Sequence, residues 1–174
     1  MMILKNRKKG YLMVEVFVAI CISLIVMSTV TLMLNESISL IEQTDNRIEI
    51  MEQFSEMKGS IKRELRNSYD LRFYSKGKNI SLDNNFVDVD RIKFSQFEDV
   101  KLGVPKIKEK ELYINLSKKK IFIYYNNGSY EIGNYAVGIE ARKDSKNCYS
   151  IKLKLNKNNN RFSDIISIRM RNWY

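Results

Sequence analysis

Residues 11–34 form an unbroken run of 24 residues whose only charged side chain is Glu15, and the run begins directly after Gly10. Roughly 20 apolar residues suffice to cross the hydrocarbon of a bilayer, so the first element is expected to be a helix of membrane-spanning length. Lys5, Arg7, Lys8 and Lys9 precede it without an acid, while Glu36, Glu42 and Asp45 follow it. This asymmetry puts the amino terminus in the cytoplasm and the remainder outside. A cleaved secretory signal fits less well. Its apolar region covers about 7–15 residues and ends at small side chains, whereas Asn35-Glu36-Ser37 closes a longer run here. Glu15 is the anomaly, because an ionised group in a membrane helix is costly and is retained for a function.

Composition narrows the function classes. Among 174 residues there is no histidine, which removes the most frequent general base and the commonest metal ligand. No nucleophile elbow, phosphate loop or metal-spaced cluster occurs. The chain therefore reads as a non-enzyme, without cofactor, metal or small-molecule substrate. Cys21 lies inside the apolar run and Cys148 far beyond it, so a disulfide between them is not expected.

The helix should continue past the membrane run. Between Asn35 and Asn67 there is no proline and one glycine, Gly59. Ile50, Phe54, Met57, Ile61 and Leu65 recur at intervals of four, three, four and four. At about 100° per residue they form one apolar stripe, which is expected to pack on a domain. Glu49, Glu52, Glu56, Lys62 and Arg63 lie mostly off that stripe, and Ile41 and Ile48 point elsewhere, towards neighbouring helices. A helix from Tyr11 to about Asn67 would be about 80 Å long.

From Ser68 onward the period becomes that of strands. Leu112, Ile114 and Leu116 share one face of a strand, as do Tyr149, Ile151, Leu153 and Leu155, and Ile166, Ile168 and Met170. Residues 120–125 and 130–133 flank Asn126-Asn127-Gly128-Ser129, a hairpin signal because Asn-Gly accepts positive φ. Shorter strands are expected near residues 71–74, 91–94 and 136–141, and residues 156–160 read as a loop. The fold class is α+β: a long helix whose amphipathic half lies on one small antiparallel sheet.

The stretch Lys8-Lys9-Gly10-Tyr11-Leu12-Met13-Val14-Glu15, with the apolar helix behind it, resembles the class III leader of type IV pilins and pseudopilins. The resemblance implies processing at Lys9, Gly10 and Tyr11. A prepilin peptidase would cut between Gly10 and Tyr11 and methylate the new amino terminus. Glu15 would then stand fifth in the mature chain and pair with the amino group of a neighbouring subunit, setting assembly register. Tyr11 replaces the usual phenylalanine, Leu12 and Met13 replace the usual hydroxyl residue and leucine, and Leu32 stands where many major pilins have proline. Val137-Gly138-Ile139-Glu140, the strand over residues 150–155 and Ile168-Arg169-Met170-Arg171-Asn172 resemble the end of minor pilins and of J-type pseudopilins of type II secretion. The implied organisation is a leader (1–10), a transmembrane half-helix (11–34), an amphipathic half-helix (35–67) and a pilin-like head (68–174). The implied function is that of a fibre subunit, first in the membrane and then at the cell surface. Its partners would be the peptidase, other subunits and, before assembly, lipid.

Two further readings belong beside this one. Lys106-Ile107-Lys108-Glu109-Lys110, Ser117-Lys118-Lys119-Lys120 and Lys152/Lys154, with Tyr113, Tyr124, Tyr125 and Tyr130, offer cations and rings for DNA, although lysines also keep sheet faces and edges soluble. Alternatively, the chain is an uncleaved, single-pass anchored binding domain in which Gly10 and Glu15 are coincidental.

Overall fold

The computed structural model describes residues 3–98, 106–126 and 128–170. The chain divides into two compact units, one up to Asp45 and one from Asn46 onward. Within the first, the described residues are all helical and belong to α1 (Ile3–Arg66), which ends in the second unit. The fold is α+β.

In the second unit the end of α1 packs on antiparallel strands. These are β1 (Ser68–Ser75), β2 (Lys78–Ile80), β3 (Val87–Val89), β4 (Arg91–Glu98), β5 (Lys106–Asn115), β6 (Lys120–Tyr125), β7 (Gly128–Asn134), β8 (Ala136–Ser145), β9 (Cys148–Lys157) and β10 (Asn160–Arg169). They form two sheets rather than the single one expected. A six-stranded sheet runs β2-β1-β4-β5-β6-β7, and a four-stranded sheet runs β10-β9-β8-β3. The division falls between β7 and β8, consecutive strands that do not pair, and β3 leaves its sequence neighbours to pair with β8 through Val87–Ala141 and Val89–Ile139.

The core lies between α1 and the inward faces of both sheets. Ile50, Phe54, Met57, Ile61 and Leu65 are each no more than 5% exposed. They meet Ile92, Leu112, Ile121 and Ile123 of the larger sheet and Ile139, Ile151, Leu153 and Ile166 of the smaller one in a single apolar cluster. Strand β7 approaches α1 so closely that a Cβ on Gly133 would collide with the Met57 side chain. The helix ends in a satisfied way: the buried Ser68 hydroxyl donates to the Leu65 carbonyl at 2.6 Å, one of the acceptors a helix terminus leaves open.

Several local expectations are corrected. Leu116 is 57% exposed and outside β5. The alternation stops because the Asn115 carboxamide oxygen accepts from the Ser117 hydroxyl at 2.7 Å and the Lys118 amide at 3.0 Å, closing an Asx-type turn. The β6–β7 hairpin closes at the Tyr125–Gly128 pair, so Gly128 opens β7 and Asn126, with φ of 49°, is in the turn. Asn127 lies outside the described residues, as do Arg171 and Asn172. Residues 156–160 are not an extended loop. Asn158 and Asn159, with φ of 47° and 66°, make a two-residue turn between Lys157 and Asn160, the geometry that matches strand twist. Strand β2 is made the same way by Lys76 and Gly77, with φ of 49° and 76°.

The two glycines facing opposite surroundings should respond oppositely to a methyl group. Gly59 sits on an open helix face with nothing within 4 Å of the added Cβ, so Gly59→Ala should raise stability by about 0.5–1 kcal/mol. Gly133→Ala should lower it by about 1–3 kcal/mol through overpacking against Met57. Chemical denaturation of the full chain in detergent, followed through tyrosine near-ultraviolet circular dichroism, checks both signs.

Candidate assembly site

Residues 11–45 of α1 are exposed throughout, with Cys21 alone half-buried. Tyr11 is 77% exposed and Met13 79%. Over residues 11–34 the helix is apolar on every side apart from Glu15, which suits a lipid or protein surround rather than water. This segment is long and apolar enough to cross a membrane once; its 24-residue apolar run rises about 36 Å. The serine and threonine hydroxyls of that run are internally satisfied. Ser23 donates to the Ala19 carbonyl, Ser28 to Ile25, Thr29 to Val26 and Thr31 to Met27, each at 2.8 Å. Such back-bonding removes the cost of placing a hydroxyl in hydrocarbon.

Glu15 is treated differently. Among the described residues no donor or cation reaches its carboxylate. Lys9, Gly10 and Tyr11 are all within α1, so the peptide bond expected to be cut is helical here. The residues expected to serve processing and assembly thus fall on about two turns of helix, 35 residues and more before the core stripe.

Two other α1 carboxylates are fixed to the strands. Glu64 accepts from the Lys110 ammonium at 2.6 Å, from the Gln96 amide at 3.1 Å and from the Tyr130 hydroxyl at 3.1 Å. The Gln96 amide also donates to the Glu64 carbonyl at 2.6 Å. The Glu64 and Lys110 side chains are each 15% exposed. Burial pushes the Glu64 carboxyl up, but Lys110, Tyr130 and Gln96 together outweigh it and hold it below its usual value. Burial and the adjacent Glu64 push the Tyr130 phenol up to about 12.

Glu49 accepts from Lys157 and, at 2.5 Å, from the Tyr135 hydroxyl. Lys157 first and Tyr135 second hold its carboxyl below the usual range. Tyr135 joins β7 to β8 with φ of 66°, a strained conformation for a bulky side chain. Its phenol bond to Glu49 and the Lys157 ammonium 5.3 Å over its ring oppose relaxation. Between these carboxylates, which are about 22 Å apart along the helix axis, the Asn134 amide donates to Gln53 at 3.2 Å and Phe54 meets Phe162 edge-on at 5.1 Å. The set of contacts fixes both rotation and register of this part of α1 on the strands.

Sequence periodicity located the stripe but not these fixings. Glu64 lies three residues after Ile61 and seven after Met57, at the border of the stripe, and that position was the available signal. Nothing local marks Tyr135 or Lys157 as partners of Glu49. The lysines read as a DNA-contacting set are dispersed. Lys110 is tied to Glu64 and Lys120 to Glu131 on the larger sheet, while Lys152 and Lys154 share Glu140 on the smaller one. Among the described residues no cluster of Cys, Asp and Glu is placed to hold a metal. Compared with family models, curated proteins and solved structures, the chain gives no significant match to any.

The pH dependence has a definite sign. A carboxyl whose folded value is lowered contributes stability that is present above its unfolded value and lost as pH falls through the folded one. Glu49, Glu64 and Glu140 are all of this kind, from an ordinary value of 4.5. Melting of the full chain in detergent should drop as pH falls below about 4.5. Glu64→Gln should cost about 1–2 kcal/mol at neutral pH, and its deficit against the native chain should shrink as the medium is acidified.

Proposed function

We propose that this chain is a structural subunit, a minor pilin or pseudopilin, of a type IV pilus-like or type II secretion-like fibre. Cleavage between Gly10 and Tyr11 frees an amino terminus, and assembly proceeds through the helix that follows. The observation that carries this reading is Glu15: a carboxylate without a partner in the described residues, at the start of an apolar run whose serine and threonine hydroxyls bond the run's own carbonyls, five residues after the junction of basic and apolar sequence. An uncompensated charge in an apolar surround needs an opposite charge from outside its own chain, and a neighbouring subunit's new amino terminus has the right sign. The fixed rotation of the helix end on its strands supports the same reading, because a subunit whose head turned freely could not repeat regularly along a fibre.

A second reading is favoured by the helical state of the Gly10–Tyr11 bond. A helical bond is a poor peptidase substrate, and the chain would then remain an uncleaved, single-pass anchored domain.

Intact mass and amino-terminal sequencing separate the two. Co-expression with a prepilin peptidase should yield a product beginning at Tyr11, with or without one methyl group, and Gly10→Val should abolish it. Glu15→Leu should be cut normally yet stay in the membrane fraction instead of appearing in sheared fibres. A chain that keeps its leader while a control prepilin is processed would establish the anchored domain instead.

A further inference from the structure

The outward face of the six-stranded sheet carries a cross-strand row, Arg72, Lys93, Glu111 and Tyr124, aligned in register over β1, β4, β5 and β6. Successive residues of a strand face opposite ways. The neighbours Phe73, Ile92, Leu112 and Ile123 are buried in the core, so the row points away from it. An open groove of about 350 Å³ runs along the row, with Glu109 on its border.

The charges along this groove are matched. Arg72 reaches Asp70 at 3.1 Å and Glu109 at 3.4 Å, and Glu111 is approached by Arg91 at 3.1 Å and Lys93 at 3.8 Å. The chain as a whole has a formal net charge of +10, yet this face offers no excess for a polyanion, whose binding depends on displacing counterions. It offers instead charged donors paired with neighbouring carboxylate acceptors on hydrogen-bonded strands. Beside them, Tyr124 is 40% exposed. Tyr113 and Phe122 meet its ring at interplanar angles of 60° and 44°, with centroids 6.2 and 6.1 Å away, so neither lies flat on it.

A sugar ring is complementary to both features. Each hydroxyl can donate to a carboxylate while accepting from an Arg or Lys, and the C–H face of a pyranose fits a tyrosine face. We infer that this groove binds a neutral saccharide. The volume is at the lower end of the roughly 300–1,000 Å³ typical of ligand sites, which suits a short stretch of a glycan chain. The saccharide is a ligand and undergoes no bond change.

The test uses the full chain in an amine-oxide detergent, which contains no sugar. The protein is applied to an array of neutral and acidic glycans, and the strongest neutral binder is titrated by calorimetry beside an oligothymidylate. A neutral glycan should bind with affinity that changes less than about twofold between about 50 and about 200 mM salt, since no counterions are released. Tyr124→Ala and Glu111→Gln should each weaken it about tenfold, while Lys118→Ala, in the turn after β5, should not. The inference is overturned if no neutral glycan on the array binds, or if only acidic glycans or the oligothymidylate bind with steep salt dependence. It is equally overturned if both groove variants bind like the native chain. Melting curves of the variants separate a lost contact from a lost fold. The result does not depend on cleavage at Gly10, so either conclusion can fail alone.

Discussion

Burial of five side chains on one helix face is the interaction on which the second unit of this protein depends. Ile50, Phe54, Met57, Ile61 and Leu65 present a continuous apolar strip to two sheets at once. Neither sheet has another layer to cover its inward face among the described residues. Truncating a fully enclosed member such as Met57 would remove about 2–5 kcal/mol, a large share of the 5–15 kcal/mol that holds a typical domain together. Towards its amino end the same helix is exposed on every side, mostly polar over residues 35–45 and apolar over residues 11–34. One uninterrupted backbone therefore carries two patterns of burial, and the change comes near Asn46, where the second unit begins.

Carboxylates mark this change of surroundings. Glu49 and Glu64 flank the stripe, and each is engaged by a cation and a tyrosine. Such pairs contribute modestly to stability because desolvation offsets much of the attraction. Their larger effect is geometric: hydrophobic contact tolerates sliding and rotation, whereas a hydrogen-bonded carboxylate accepts few arrangements. Glu15, without a partner in the described residues, has the opposite property. It disfavours any apolar surround that lacks a matching cation, which makes it selective about its neighbours.

How much was legible in the sequence depended on how local each determinant was. The stripe could be found because a 3.6-residue period needs no tertiary information, and α1 ends at Arg66, one residue before the expected Asn67. Strands β6 and β9 were readable from alternation. Leu116 was misplaced because side-chain capping by Asn115 ended the strand while the apolar pattern continued. Strands β2 and β3 have three residues each, too few for a period to show. The split into two sheets lies between β7 and β8, and the smaller sheet gains its edge when Val89 finds Ile139, a choice between distant partners that no local pattern records. The anchoring of Glu49 by Lys157 was hidden for the same reason.

The order of elements along the chain also sets a sequence of events during synthesis. The stripe is made before any strand that covers it, and β9 follows about 90 residues after it. At about 5–20 residues per second, the part of the stripe that the four-stranded sheet covers stays open for about 5–20 s. The six-stranded sheet is complete in sequence once β7 has been made, so it can close on the helix first. Strand β3, between β2 and β4 in sequence, must wait for β8, so it stays unpaired while the strands on either side of it are already in the larger sheet. Newly made chains therefore pass through a state in which half of the core is closed and the other half is sticky, and it is there that a chaperone or a second nascent chain would find its grip.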